Sequence, residues 1–416
     1  MCVKNKKLLP LYIEGVVSGK YTLKQAAEST GYSVNWIWAK KNEYLKIGEN
    51  CFIHKLKGRP SNNKISLELE ERIVNLYINE FQDVNFSYFH DCLIKDYLIK
   101  ISYSCLRSIL KKYKIKSPET HRVKGKKIHR PRPRREAEGD LVQIDGTPYE
   151  WFYKSGDKKK YCMQGAIDDA TGKLCALYIT ENECLYGYNE VYRRMIHRFG
   201  VPREAYMDRS AIFAVTPRHK DKLTIEEQLK GLHEHRTQFQ RIMDDLSCRQ
   251  ILAWSPQAKG RVERMWKTLQ GRLPQEFKMH NIKTVKDANI FLEKYVEEWN
   301  NGKFVHKAKK EETFWLPTPS EDRLNEILCA RFPVKTNAAG VFKFHTYSFT
   351  VRGCRYIACK NFELCISERG LQACIDSQYY DVELLDFLTD GCGAQAQVLD
   401  NIFYEYLYRN MKEKAS

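Results

Sequence analysis

The chain has 416 residues, of which 43% are hydrophobic, so it is long enough to form several domains with separate cores. Its 69 Lys and Arg residues outnumber 52 Asp and Glu residues, which gives a formal net charge of +17 at pH 7. This excess of cations indicates an anionic partner, above all nucleic acid, because neutralised phosphates release their condensed counterions. No apolar stretch approaches the ~18 residues that span a membrane and no basic, apolar leader opens the chain, so we expect a cytoplasmic protein without a membrane partner.

Fourteen cysteines are scattered along the chain and nowhere form a C-x-x-C pair. Free, mostly buried thiols in a reducing compartment account for them better than disulfides or zinc. A zinc finger is therefore not expected.

Residues 1–57 have the outline of a helix-turn-helix module. A capping-box pattern begins at Thr22, Gly31 marks a turn, and Ser33 caps a second helix that extends to about residue 44. That helix carries three residues that are candidates to meet bases or phosphates in a major groove: Asn35, Lys40 and Lys41. A plain helical hairpin is the alternative.

Residues 58–117 predict a linker followed by a second helix-turn-helix module. Arg59, between Gly58 and Pro60, either enters a narrow minor groove or belongs to a solvated connector. Two helices and a third, capped by Ser102, follow. The third helix is apolar on one side, and its other side carries three candidate DNA-contacting residues: Tyr103, Arg107 and Lys111. Two such outlines in a basic chain favour DNA binding.

Residues 118–138 form a basic linker arm. Eight of the fifteen residues from His121 to Arg135 are Lys or Arg, interleaved with two prolines, and no core can form from that composition. An extended arm would follow a phosphate backbone, with four arginines as candidate contacts: Arg130, Arg132, Arg134 and Arg135. A merely soluble linker is the alternative, although it needs fewer charges.

Residues 139–316 contain apolar segments of strand length that predict a central α/β core. Three successive segments within residues 140–180 are separated by short turns and predict an antiparallel meander. A helix then leads to a short strand that ends at Asp208. A further strand, near residues 250–254, leads into a long helix whose early turns carry Glu263.

Three acids at strand ends and a helix start, Asp145, Asp208 and Glu263, suit phosphodiester chemistry with Mg²⁺ or, as a substitute, Mn²⁺. Mg²⁺ prefers oxygen ligands, and a pair of ions can activate an attacking oxygen and stabilise the leaving one. Basic residues on or beside the helix of Glu263 are candidates to grip DNA: Lys259, Arg261 and Lys267. Other acids remain alternatives for the metal, although their surroundings are ordinary turn sequences: Asp140, Asp168 and Asp169.

The segments 143–147, 208–213 and 255–264 resemble the three signature blocks of DDE transposases, most closely the bacterial insertion-sequence group called ISNCY. The resemblance implies an integrase catalytic core of ribonuclease-H fold in which Asp145, Asp208 and Glu263 are the catalytic, metal-binding triad. The spacing between Asp208 and Glu263 exceeds that of retroviral-type integrases, so a helical insertion near residues 217–235 is expected. Ser210 stands where the family usually has His.

Residues 317–416 begin with a proline-rich boundary and continue as short apolar segments. Strands are expected near residues 341–351, 355–358, 363–367 and 372–375, followed by a helix over about residues 398–412. These elements predict a small β domain resembling a barrel, whose role the sequence leaves open.

The parts predict a multidomain protein with N-terminal all-α helix-turn-helix modules, a central α/β core and a C-terminal small β-barrel-like domain, and the resemblance implies that the core is a ribonuclease-H-like catalytic core. We interpret it as an insertion-sequence transposase, a polynucleotidyl transferase that acts on double-stranded DNA at the element's terminal inverted repeats and at a target. We expect a homo-oligomer, at least a dimer on DNA. A catalytically inactive, transposase-derived regulator and a nuclease of the same fold are the alternatives.

Overall fold

The computed structural model describes most of the chain: residues 7–53, 65–118, 132–215, 236–253, 259–354, 356–385 and 392–408. The linker at Gly58-Arg59-Pro60 and the insertion expected near residues 217–235 lie outside these ranges. The chain divides into two compact units, Met1–Leu76 and Tyr77–Ser416. None of the described helices is long and apolar enough to cross a membrane. The described cysteines are free thiols, and most of them are buried.

The first unit is helical. It contains α1 (Leu9–Val17), α2 (Leu23–Thr30), α3 (Val34–Ile47), a 3₁₀ turn at Gly48–Phe52 and the start of α4 (Leu67–Asn79). The predicted capping box at Thr22 and the cap at Ser33 are confirmed, and Gly31 joins α2 to α3 with φ of 72°, a left-handed conformation that suits glycine. Helix α1 was not predicted, and its Leu9, Ile13 and Val16 complete the core of this unit.

The second unit begins with two helices, α5 (Phe86–Lys95) and α6 (Tyr103–Lys112). The hydroxyl of Ser102 accepts a hydrogen bond from Cys105 N, so the predicted cap of the third helix is confirmed. Leu106, Ile109 and Leu110 are buried, as the spacing i, i+3, i+4 predicts.

A five-stranded sheet lies at the centre of the second unit. Strands β1 (Leu141–Tyr149), β2 (Tyr161–Asp168) and β3 (Leu174–Thr180) form the predicted antiparallel meander. Strands β4 (Glu204–Met207) and β5 (Arg249–Leu252) run parallel to β1, and the order across the sheet is β3-β2-β1-β4-β5. The alternation of side chains sends Val142 and Ile144 to one face and Gln143 and Asp145 to the other.

Helices cover both faces of this sheet: α7 (Leu185–Phe199), α8 (Gln238–Asp245), α9 (Gly260–Gln270), α10 (Leu273–Met279) and α11 (Val285–Asn300). One core joins Val142 and Ile144 to α7 and α8, and a second joins β2 and β3 to α9, α10 and α11. The helix expected to continue to about residue 273 ends at Gln270, because Gly271 follows and Pro274 lies in the first turn of α10.

The C-terminal part begins with helix α12 (Glu321–Ile327), and a sheet of six strands follows it in the chain. The strands are β6 (Ala330–Lys335), β7 (Val341–Phe344), β8 (Tyr347–Val351), β9 (Asn361–Ser367), β10 (Gly370–Ile375) and β11 (Gln378–Leu384), in the order β6-β9-β10-β11-β8-β7. The two edge strands, β6 and β7, contact each other, so the sheet nearly closes into a barrel. Helix α13 (Cys392–Phe403) and a π turn (Tyr404–Tyr408) follow.

The prediction of a strand near residues 355–358 is wrong, since residues 356–358, the part that the structure describes, form no strand. The Thr336 hydroxyl donates to the carbonyls of Ile357 and Lys360, which holds this segment as a loop instead of a ladder. Strands β6 and β11 were not predicted.

Candidate active site

Asp145 and Asp208 lie side by side because their strands are parallel neighbours. Asp145 lies on β1 and Asp208 directly follows β4. Gln143 on β1 pairs with Tyr206 on β4, and the two strands run in the same direction. The residues that follow this pair on each strand therefore lie on the same side of the sheet. Asp208 Oδ1 accepts a hydrogen bond from Ser210 N at 3.0 Å, which fixes the turn after β4.

Lys259 joins the two carboxylates. Its Nζ lies 2.7 Å from Asp145 Oδ1 and 3.5 Å from Asp208 Oδ2. The Lys259 side chain is 8% exposed, that of Asp145 is 19% exposed and that of Asp208 is 45% exposed. The space between the two acids is therefore a site where a cation is held, open to water on the side of Asp208.

Helix α9 brings Glu263 to the same region. Lys259 precedes Glu263 by four residues and Trp266 follows it by three, and both bond to Asp145: Trp266 Nε1 donates to Asp145 Oδ2 at 3.1 Å. Residues at these spacings share one side of a helix. Glu263 itself is exposed, and among the described residues it has no ion pair or hydrogen bond with Asp145 or Asp208.

The structure thus brings two of the three predicted acids into one ion-paired group and places the third on the adjoining helix. No cluster of three or more His, Cys, Asp or Glu side chains that could hold a metal occurs within the described ranges. The acids that were alternatives are engaged elsewhere. Asp140 pairs with Arg203 and Arg135, and Asp168 and Asp169 are fully buried.

Burial raises the pKa of the Asp145 carboxyl, and the charge and hydrogen bond of Lys259 oppose that shift. The proximity of Asp208 raises the pKa of Asp145 further, since two like charges disfavour each other. The ammonium of Lys259 therefore favours the ionised form of Asp145.

Glu183 is a further acid at this site that the sequence analysis missed. It follows β3, and its Oε1 accepts a hydrogen bond of 2.6 Å from the Tyr188 hydroxyl. A Cβ at Gly146, next to Asp145, would lie 3.1 Å from the same oxygen. Burial raises the pKa of Glu183, the bond from Tyr188 opposes this, and Asp208 and Asp145 add to it. Strand β3 runs parallel to β1, so an acid after β3 could have been placed at this sheet edge from the predicted meander.

The candidate DNA contacts of the first unit differ in their surroundings. Asn35 is exposed and Lys41 is half-buried. Lys40 is turned toward the protein: its Nζ pairs with Glu43 at 2.9 Å and donates to the Cys51 carbonyl. Arg59 lies outside the described residues.

On α6 of the second unit, the three candidates share an exposed face opposite the buried leucines and isoleucine: Tyr103, Arg107 and Lys111. Lys267 on α9 is also exposed. These four side chains are therefore open to solvent.

The arginines at the end of the basic arm are bonded to the sheet. Arg132 pairs with Asp169, Arg134 donates to the carbonyls of Asp169 and Ala170, and Arg135 donates to Glu204 at 2.6 Å. Arg261 on α9 is buried and pairs with the same Asp169 at 3.1 Å. Arg130 lies outside the described residues.

Comparisons with known proteins give two curated relatives. The chain is 29% identical over 345 residues to the transposase for insertion sequence IS1202 of Streptococcus pneumoniae, covering 76% of this chain and 71% of the relative. It is 30% identical over 329 residues to the putative transposase y4bF of Sinorhizobium fredii, covering 79% of this chain and 69% of the relative. No protein-family model matches the chain.

Among solved structures, a simian T-cell lymphotropic virus intasome in complex with PP2A regulatory subunit B56 gamma aligns with 75% of this chain and 95% of its own, at 12% identity and a TM-score of 0.29. The catalytic core domain of BIV integrase aligns with 41% of this chain and 91% of its own, at 17% identity and a TM-score of 0.26. Family membership follows from the Sinorhizobium fredii relative, which is 30% identical and is covered over 69% of its length, and the Streptococcus pneumoniae relative agrees with it. The chain belongs to the family of insertion-sequence transposases.

Proposed function

We propose that this transposase cleaves and joins DNA at the site formed by Asp145, Asp208 and Glu263. The observation that carries the proposal is the meeting of Asp145 and Asp208 around one cation, the ammonium of Lys259. Neither acid has another cationic partner among the described ion pairs. Paired carboxylates on neighbouring parallel strands, one within β1 and one directly after β4, are suited to hold divalent ions against a scissile phosphate.

The donor set fits a divalent metal. Asp145 and Asp208 offer carboxylate oxygens, the ligands that Mg²⁺ prefers, and Mn²⁺ accepts the same set. The position of Lys259 Nζ, 2.7 Å and 3.5 Å from the two acids, supports the idea that the space between them suits a positive charge. When bound there, Mg²⁺ supplies charge to activate the attacking oxygen and to stabilise the leaving oxygen.

The residues of the chain have distinct parts in this proposal. Asp145 and Asp208 hold the cation, and Glu263 offers a third carboxylate from the exposed side of α9. A divalent ion between Asp145 and Asp208 would compete with the Lys259 ammonium for the two carboxylates. The same site would serve hydrolysis at the element end and attack by the freed 3′-hydroxyl on target DNA.

DNA recognition is proposed for the helical N-terminal region, with residues 1–57 and 58–117 as two modules, 118–138 as the arm, 139–316 as the catalytic core and 317–416 as the C-terminal domain. Candidate contacts are the side chains on exposed or partly exposed faces: Asn35, Lys41, Tyr103, Arg107, Lys111 and Lys267. We further propose that the chain acts as a homo-oligomer, at least a dimer, because two element ends must be joined to one target.

The test uses the full chain and linear DNA that carries the ends of its own insertion sequence with flanking host DNA. Asp145→Asn, Asp208→Asn and Glu263→Gln should each reduce the cleavage rate by about a thousandfold, equivalent to about 4 kcal/mol, while binding to the ends persists. Asp322→Asn, at an exposed acid of α12, is the control.

Full activity in all three variants would remove the assignment of the triad. A wild-type chain that binds the ends but never cleaves them, with either Mg²⁺ or Mn²⁺, would favour a DNA-binding regulator. Cleavage without preference for the element ends would favour a nuclease.

A further inference from the structure

The carboxylate of Asp169 is a buried junction of three parts of the second unit. Its Oδ1 accepts a hydrogen bond from Gln143 Nε2 at 2.8 Å and pairs with Arg261 at 3.1 Å and with Arg132. Its Oδ2 accepts the backbone N–H of Arg135 at 2.8 Å. Asp169 thereby bonds strand β1, helix α9 and the end of the basic arm at one point.

Gln143 continues this connection to the start of helix α9. Its amide nitrogen donates to Asp169, and its Oε1 accepts from Val262 N at 3.2 Å. The N-cap residue of α9, Lys259, provides no side-chain cap for the free N–H groups of the first turn. Gln143 therefore satisfies one of these groups from the neighbouring strand, and Asp169 fixes the orientation of its amide.

Helix α9 runs along β1 in matched steps. Gln143, Asp145 and Thr147 bond in turn to residues four apart on α9: Val262, Trp266 and Gln270, the last at 3.4 Å. Four helical residues advance about 6 Å and two strand residues about 6.7 Å, so the two elements stay in register over this length. The first of the three levels depends on Asp169.

The neighbouring Asp168 has a different environment, although it is equally buried. Its Oδ1 accepts from Gly139 N at 3.0 Å, and its Oδ2 accepts from the N–H and hydroxyl of Thr171. These bonds close the turn between β2 and β3 and contact neither α9 nor the arm. Asp168 and Asp169 are thus two adjacent buried acids, and only Asp169 is connected to the helix of the candidate site, through Gln143 and Arg261.

We propose that Asp169 is a positioning residue of the transposase. Through Gln143 and Arg261 it holds α9, and with it Lys259 and Glu263, in register with the strand that carries Asp145. Through Arg132 and Arg135 it fixes the end of the basic arm to the same point. The effect on reaction rate rests on the proposed function, whereas the effect on α9 is a property of the fold.

The experiment compares Asp169→Asn with Asp168→Asn in the full chain. All seven tryptophans are replaced by 5-fluorotryptophan, and the ¹⁹F resonance of Trp266 is identified from a Trp266→Phe sample. Asp169→Asn should shift or broaden this resonance, reduce single-turnover cleavage by about a hundredfold and change the affinity for DNA ends by less than about twofold. Asp168→Asn should lower the melting temperature. It should leave the Trp266 resonance unchanged and the cleavage rate within about twofold of wild type.

Gln143→Met supports the test if Asp169→Asn fails to fold. It removes both amide bonds without leaving a buried charge unpaired, and it should reproduce the resonance and rate changes of Asp169→Asn. An unchanged Trp266 resonance in either folded variant, or equal effects of Asp168→Asn and Asp169→Asn, would overturn the proposal. If the wild-type chain cleaves nothing, the proposed function fails, and the Trp266 resonance still decides the part of Asp169.

Discussion

Replacing Lys259 by Met tests whether the space between Asp145 and Asp208 is a cation site. Lys259→Met keeps most of the side-chain volume but removes the charge that lies 2.7 Å from Asp145 and 3.5 Å from Asp208. Removing one partner of a buried ion pair costs about 3–5 kcal/mol. Because Asp208 is nearly half exposed and water can screen it, we expect the lower end, about 3 kcal/mol.

For a unit of this size each kcal/mol moves the melting temperature by about 2 °C, so the variant should melt about 6 °C below wild type in EDTA. Millimolar Mg²⁺ should raise the melting temperature of Lys259→Met more than that of wild type, because in wild type the ion must displace an ammonium. Differential scanning fluorimetry with and without Mg²⁺ measures both effects.

Lys283→Met, at an exposed lysine, is the matched control and should melt like wild type in both conditions. Equal Mg²⁺ shifts in wild type and Lys259→Met would refute the reasoning, since they would mean that Lys259 and the divalent ion do not compete for one place. An equal loss of stability in Lys283→Met would show that the loss does not come from the paired acids.

Three further predictions concern local features. Thr237→Ala should destabilise the second unit by about 1 kcal/mol in urea unfolding, because it removes the capping box of α8, whereas Thr237→Ser should not; equal losses in both would contradict this. Burial raises the pKa of Glu276, so the folded state loses stability as pH rises from below the ordinary carboxyl range through the raised pKa. Glu276→Gln should therefore gain melting temperature over wild type at pH 8 and not at pH 4, and a difference independent of pH would disprove the shift. Changing Arg107 and Lys111 together to Ala should make the slope of log K for DNA binding against log salt concentration shallower, by the amount expected for the loss of about two phosphate contacts. An unchanged slope would remove α6 from the interface.

The sequence predicted those parts of the fold that depend on local signals. Capping patterns at Thr22, Ser33 and Ser102 located three helix starts, and apolar segments of strand length separated by short turns located the antiparallel meander. Strands β6 and β11 were missed because most of their residues are exposed or only partly buried, so neither sequence shows a clear apolar pattern.

The surroundings of the basic residues were not predictable in this way. Composition indicated that Arg132, Arg134 and Arg135 belong to an extended arm over DNA, yet each is bonded to the sheet. Their common partner, Asp169, follows a strand in what reads as an ordinary turn, and its burial arises only when β1, β2 and α9 come together. Ion pairs and hydrogen bonds between residues so far apart in the sequence cannot be predicted without the fold.

The three proposed metal-binding acids are held by different forces, and this has a consequence for how the site tolerates change. Asp145 and Asp208 lie on or directly after strands whose backbone hydrogen bonds fix their separation. Glu263 lies on a helix whose apolar residues pack against β2 and β3 and which bonds to β1 through the side chains of Gln143, Asp145 and Thr147. Backbone pairing survives most side-chain substitutions, whereas side-chain bonds do not. Substitutions along the contact between β1 and α9 should therefore weaken chemistry that needs Glu263 while leaving the cation site of the two aspartates intact. The placement of the helix, more than that of the sheet, would then limit the rate of DNA cleavage.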